Sequence, residues 1–166
     1  MTEPENSAGI LSLGMAVPDH VMTNHDMEKI VETSDEWITT RTGIRERRVA
    51  NELTATSDLA AEAGRIAIKN AGLSSRDIDM IILATATPDY PFPAAACTVQ
   101  ELLDAENAAA YDISAACSGF LYGMTLAKGM IKSGEYEKIL LINPNDGDAR
   151  TRLGALRARL KGGRSK

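Results

Sequence analysis

The feature that most limits the fold is a short apolar run, Ile78 to Ala86, reading Ile-Asp-Met-Ile-Ile-Leu-Ala-Thr-Ala. It has the length of a buried strand and falls well below the ~18 residues of a membrane span. Helical spacing flanks it on both sides. Upstream, Leu59, Ala63, Ile66 and Ala67 make an apolar stripe, with Ser57 as the expected N-cap, Asp58 at the positive end of the dipole and Gly72 as the stop. Downstream, the pattern predicts a helix over Ala94 to Asp104, a strand over Ala108 to Ser114, a helix over Gly119 to Ser133 and a strand over Lys138 to Ile142. Strands alternating with helices call for an α/β fold with a mostly parallel sheet covered on both faces. Nearer the N-terminus, Ala8 to Val17 reads as a first strand ending at Pro18. Asn24 reads as the cap of a helix with Met27, Ile30 and Val31 on one face. Ser34 is the expected cap of a second helix that Gly43 stops, and Ile44 to Ala50 as a short strand.

Apolar residues make up 44% of the chain but aromatics only 4%, so Ala, Ile, Leu, Val and Met must fill the core. The first residues, Met1 to Glu5, are acidic and lack the basic-then-apolar profile of a signal peptide. Two cysteines, Cys97 and Cys117, give no disulfide framework and suit a reducing compartment. The expectation is a cytoplasmic protein without membrane, metal or nucleic-acid partners. Charge is uneven. Up to Asp148 there are 11 basic against 23 acidic residues, while from Ala149 onward there are seven basic and no acidic ones. The strand–helix alternation stops after Ile142. This divides the chain into an α/β portion, 1–142, and a basic tail, 143–166, read as disordered or as the product of a frameshift or truncation.

Cys117 carries the clearest chemistry. It lies in Asp112-Ile113-Ser114-Ala115-Ala116-Cys117-Ser118-Gly119-Phe120, between an expected buried strand and an expected helix. Backbone N–H groups and the dipole at a helix start favour a thiolate. Small neighbours permit a sharp turn and the approach of a substrate carbonyl. On the residues alone, two readings stay open: a nucleophile, or a small buried hydrophobe. Cys97, among alanines inside an expected helix, reads as buried.

Three stretches together resemble β-ketoacyl-acyl-carrier-protein synthase III, the initiating condensing enzyme of bacterial type II fatty-acid synthesis and a member of the thiolase superfamily. They are Thr33-Ser34-Asp35-Glu36-Trp37-Ile38-Thr39-Thr40-Arg41-Thr42-Gly43-Ile44-Arg45-Glu46-Arg47, then Phe92-Pro93-Ala94-Ala95-Ala96-Cys97, then Asp112 to Phe120. The resemblance runs from about Gly9 to Ile142 and implies the N-terminal α/β half of a duplicated, thiolase-like fold with a mostly parallel mixed sheet. It implies that Cys117 accepts an acyl group, typically acetyl, from acyl-CoA. The thioester is then condensed with malonyl-acyl-carrier protein, and the Cys117 N–H serves the oxyanion. No cofactor is implied beyond the coenzyme A thioester used as substrate.

The same resemblance places Trp37 against the CoA adenine with Thr33 beside it, and Arg41 on the CoA tunnel. Phe92 would close the acyl pocket of the partner in a homodimer. Read without the resemblance, Trp37 is a core anchor, Arg41 a solvated charge and Phe92 a loop aromatic among prolines. The cluster Arg45, Arg47 and Arg48 reads either as a face for phosphopantetheine or carrier protein, or as solvated charge. The family also uses a His and an Asn downstream of the cysteine, whereas here no histidine follows His25 and only Asn143 and Asn145 follow Cys117. Two alternatives therefore stand beside the condensing enzyme: an inactive fragment, with Phe120, Leu121, Met124 and Leu126 uncovered, and a relative that uses another primer.

Overall fold

The computed structural model describes residues 8–144. In chain order its elements are β1 (Val21–Thr23), α1 (Asn24–Glu28), α2 (Asp35–Thr42), β2 (Glu46–Arg48), α3 (Thr56–Asn70), β3 (Met80–Ala84), α4 (Ala95–Leu102), β4 (Ala109–Ile113), α5 (Gly119–Lys132) and β5 (Ile139–Ile142). Single 3-10 turns occupy Ser75–Asp77 and Ala116–Ser118. Two compact units result. Among the described residues, one comprises 8–16 with 55–144, and the other 17–54. The basic tail expected over 143–166 lies, from residue 145 onward, outside the described residues.

The larger unit is an α/β layer built on three parallel strands in the order β4-β3-β5. β3 is the middle strand and is buried along its whole length, as its unbroken apolar sequence requires. Its side chains divide by parity. Ile81 and Leu83 join Leu140 and Ile142 of β5 in a core with Ala60, Ala61 and Ile68 of α3 and Ala95, Ala96 and Val99 of α4. The opposite face carries Ala84 of β3 and Leu141 of β5 against α5. Gly123 makes that seat possible, since a Cβ there would stand 2.4 Å from Leu141 Cδ1. Beyond its glycines α5 turns Leu121 and Tyr122 outward, with Phe120, Met124 and Leu126 also exposed.

Residues 8–16 do not form the expected strand: they enter no ladder of the sheet. Their alternation is real, but its small members face inward. Gly14 lies so close to α3 that a Cβ would fall 2.2 Å from the Ala63 carbonyl oxygen. Ser12 Oγ donates to the Ala67 carbonyl at 2.7 Å, and Asn70 Nδ2 donates to the Leu13 carbonyl at 2.9 Å. The large members Leu11, Leu13 and Met15 are exposed. Side-chain bonds to a helix thus replace the strand ladder that the apolar pattern suggested.

The smaller unit holds a two-stranded antiparallel ribbon, β1 with β2, and two helices. The first helix is capped by Thr23, whose Oγ1 accepts from Asp26 N while the Asp26 carboxylate accepts from Thr23 N, a reciprocal capping box. Asn24, expected as that cap, is instead buried inside the unit. Its Nδ2 donates to Asp35 Oδ1 and to the Ile44 carbonyl, both at 2.8 Å, and its Oδ1 accepts from Arg47 at 2.8 Å. One amide therefore ties α1, α2 and β2 together. The helix ends at Glu28, short of Ile30 and Val31, which are exposed.

Caps elsewhere also differ from the sequence expectation. Ser57 lies buried within α3, which begins after Ala55, and Asp58 accepts from Ala55 N at 2.7 Å. Ser34 does cap α2 by accepting from Trp37 N, and Gly43 closes that helix in the left-handed region at φ 72°. Among the described residues no helix is long and apolar enough to cross a membrane, and no group of three or more His, Cys, Asp or Glu is arranged to hold a metal.

Candidate active site

Cys117 occupies the middle of the 3-10 turn between β4 and α5. β4 is held in register beside β3, with Leu83 opposite Asp112 and Ala84 opposite Ile113, so the chain leaves the sheet at a fixed point. Ala116 then adopts φ 45°, a left-handed conformation uncommon for a residue with a Cβ. The reversal presents Cys117 at the surface, and the thiol is free. Gly119, the first residue of α5, is buried 3.1 Å from Ala84 Cβ, measured from where its own Cβ would stand. A side chain there would push the helix start off the sheet, so the glycine helps set the turn's height above β3.

Cys117 is therefore no buried hydrophobe. Its backbone stands at the start of a helix whose N-cap, Ser118, gives no side-chain bond. The N–H groups of Ser118 and Gly119 are taken by the Ala115 and Ala116 carbonyls, and N–H groups further into a first helical turn are the ones that suit a developing oxyanion. Cys97 differs: it lies half-buried in the first turn of α4, its Sγ 3.9 Å from the Ala110 carbonyl oxygen.

Asp112, inside the cysteine motif, has a role that the sequence did not disclose. Its Oδ2 accepts from Ala95 N and its Oδ1 from Ala96 N, each at 2.8 Å. The carboxylate thus caps α4 from another strand, because the N-cap residue Ala94 has no side-chain acceptor. Asp89 does the same for α3, accepting from Thr56 N at 2.9 Å and Ser57 N at 3.3 Å. No local pattern marks either residue. The only hint is a carboxylate in or beside an apolar strand, where it needs donors.

Between these two acids runs the second half of the connection from β3 to α4, which carries Phe92. That ring is 89% exposed and does not pack among Pro88, Pro91 and Pro93 as a buried loop aromatic would. Its peptide bond to Pro93 is cis.

In the smaller unit, Trp37 and Arg41 lie one turn apart on α2, with the Arg41 guanidinium carbon 4.5 Å from the centre of the indole ring. Trp37 is 52% exposed, so it is not a core anchor. It lines an open recess of about 430 Å³ together with Val31, Glu32, Thr33 and Ser34. The sequence motif thus gathers three of its predicted binding residues, Thr33, Trp37 and Arg41, on one stretch of surface. Within the basic cluster, Arg47 is tied to Asn24, and Arg48 donates to the Pro18 and Asp19 carbonyls at 3.4 and 3.2 Å. Both thus make hydrogen bonds within the smaller unit, and Arg48 remains exposed. Both histidines are exposed, His25 beside Glu28 at 3.2 Å.

A profile of the family described as 3-oxoacyl-[acyl-carrier-protein (ACP)] synthase III matches residues 111–148, which include Cys117. A Bacillus cereus β-ketoacyl-[acyl-carrier-protein] synthase III is 54% identical over 136 residues, 82% of this chain and 44% of the relative. A Roseiflexus relative of the same name is 57% identical over 137 residues, 82% of this chain and 42% of its own length. The crystal structure of 3-oxoacyl-[acyl-carrier-protein] synthase III from Aquifex aeolicus superposes with a TM-score of 0.78 at 52% identity, covering 81% of this chain and 43% of that one. The chain belongs to the β-ketoacyl-acyl-carrier-protein synthase III family. It spans less than half the length of the curated relatives it matches. The synthase III likeness also fixes the fold class as thiolase-like α/β, with the parallel sheet described above.

Proposed function

We propose that this chain carries the acyl-accepting half of a condensing active site. Cys117 attacks the thioester of acyl-CoA, typically acetyl-CoA, forming an acyl-cysteine and releasing CoA. The malonyl group of malonyl-acyl-carrier protein then loses CO2, and its carbanion displaces Cys117 to give the 3-oxoacyl product that starts fatty-acid synthesis. The observation that carries this reading is the exposed cysteine at the head of α5, lifted by the left-handed turn at Ala116. A covalent intermediate divides one difficult transfer into two easier ones, and helix-start N–H groups stabilise the oxyanion of each.

In this reading the adenine of CoA lies on the Trp37 indole, with Thr33 beside it in the recess and Arg41 near the phosphates. An indole supplies a flat apolar face and a guanidinium pairs well with phosphate oxygens. Phe92 is the exposed ring that enters the acyl pocket of a partner in a cytoplasmic homodimer, where it sets primer choice. Residues 1–142 are the thiolase-like N-terminal half, and no cofactor other than the substrate thioester takes part.

The test is direct. The protein is incubated with acetyl-CoA, and the peptide bearing residue 117 is weighed. An added acetyl group that disappears in Cys117→Ala, and weakens at least ~10-fold in Trp37→Ala through lost CoA affinity, supports the reading. A folded protein that gains no acetyl group at Cys117 overturns it.

A further inference from the structure

The connection between β3 and α4, residues 85–94, is fastened by two carboxylates, Asp89 at its middle and Asp112 from β4. Asp89 accepts from Thr56 N and Ser57 N at the start of α3, while Thr56 Oγ1 donates to the Thr87 carbonyl at 2.8 Å. At the α4 end, both oxygens of Asp112 are taken up by the N–H groups of Ala95 and Ala96. Asp112 is one residue from the end of β4, and five residues later the chain reaches Cys117. Three residues before Ala95 it carries Phe92. A single side chain therefore joins the strand that launches the nucleophile to the helix that anchors the exposed ring.

We propose that Asp112 is a positioning residue: it locks the Cys117 turn to the N-terminus of α4, so that the nucleophile and the Phe92 segment hold one fixed arrangement. The proposal rests on the reading of Cys117 as acyl acceptor for its functional consequence, but not for its structural one. The geometry favours a tether over an ordinary cap. A local cap needs one oxygen on the residue before the helix, and Ala94 already has backbone angles (φ −57°, ψ 142°) outside the helix, where Asp or Ser would serve. The chain instead recruits a carboxylate from the neighbouring strand and spends both its oxygens there. Ala116, four residues on, is held at φ 45°, a conformation that persists only where its surroundings are fixed.

The two roles separate when a cap is supplied locally. Asp112→Ala removes both acceptors, and Asp112→Ala with Ala94→Asp restores an acceptor to α4 without rejoining it to β4. Asp112→Asn, which keeps one acceptor, serves if the alanine variant does not fold. Thermal unfolding, hydrogen exchange of residues 113–118 and acetyl loading from acetyl-CoA are measured on the whole chain. With Asp112 as a tether, the double variant regains its melting temperature, yet residues 113–118 still exchange about tenfold faster than in the parent. Its maximal loading rate also stays depressed, with the half-saturating acetyl-CoA concentration unchanged. If the local cap restores exchange and loading together with stability, Asp112 is only a helix cap and the proposal falls. A parent chain that takes up no acetyl group refutes the condensing reading, and the exchange comparison then decides the tether by itself.

Discussion

Asn24→Ala is expected to unfold the smaller unit far more readily than its single side chain would suggest. Asn24 is almost wholly buried and its amide serves three elements at once. The truncation strips the Ile44 carbonyl and the Arg47 guanidinium of partners at 2.8 Å, and leaves a polar cavity. A neutral hydrogen bond contributes about 1 kcal/mol net and one to a charged group about 1.5–3 kcal/mol, while an orphaned buried group adds its own desolvation cost. These terms overlap because the partners share one site, so a loss of about 3 kcal/mol is the working figure. Against a total of about 5–15 kcal/mol for a domain, that is a large fraction. Trp37 is the only tryptophan and lies in this unit, so its fluorescence reports on the unit selectively. Urea titrations at pH 7 read the change as a lower midpoint at unchanged slope. A loss below about 1 kcal/mol would refute the claim that the amide network, and not the β1–β2 ribbon alone, holds the unit together.

Two more outcomes follow from the same geometry. Gly14→Ala should lower the melting temperature by the equivalent of about 1–3 kcal/mol, because the new Cβ meets the Ala63 carbonyl and the Ala67 nitrogen, backbone atoms that cannot swing aside. Gly9→Ala, with nothing within 4 Å, is the neutral control, and equal behaviour of the two variants would count against the close approach. Acid should loosen the smaller unit. The backbone N–H of Asp35 holds Glu28 below the usual carboxylate range, and the Asn24 amide does the same for Asp35. Lys29 and Thr23 hold Asp26 well below it. Carboxyls with lowered native values contribute stability above their unfolded values, and lose it as pH falls through the native ones. Trp37 fluorescence should therefore show urea midpoints steady from pH 7 to about 5 and falling below that. A midpoint that stays flat to pH 3 would contradict the assignment.

Much of the larger unit was legible from periodicity. The run Ile78 to Ala86 became β3, with its two faces assigned by parity, and the helices after Gly72 and before Gly134 fell within a residue or two of expectation at most ends. What the sequence concealed was long-range. Ser57 looked like a cap because Asp58 follows it, but the start of α3 is satisfied by Asp89, 32 residues away from Ser57. Asn24 had the chemistry of a cap, and burial turned it into a hub. The apolar alternation over Ala8 to Val17 did not say which set of alternate residues faces inward; the close seat of Gly14 on α3 put the small ones there. At the site, the turn around Cys117 was readable because small residues crowd it. Asp112 was not, since an acid in a strand has no short-range signature.

The two acid anchors have a consequence for the segment between them. Tyr90, Pro91, Phe92 and Pro93 lie between fastenings made by backbone N–H groups of α3 and α4, and both Tyr90 and Phe92 project from the surface. A change of side chain at Tyr90 or Phe92 therefore alters what the surface presents there, while the carboxylate bonds of Asp89 and Asp112 on either side of the segment stay in place.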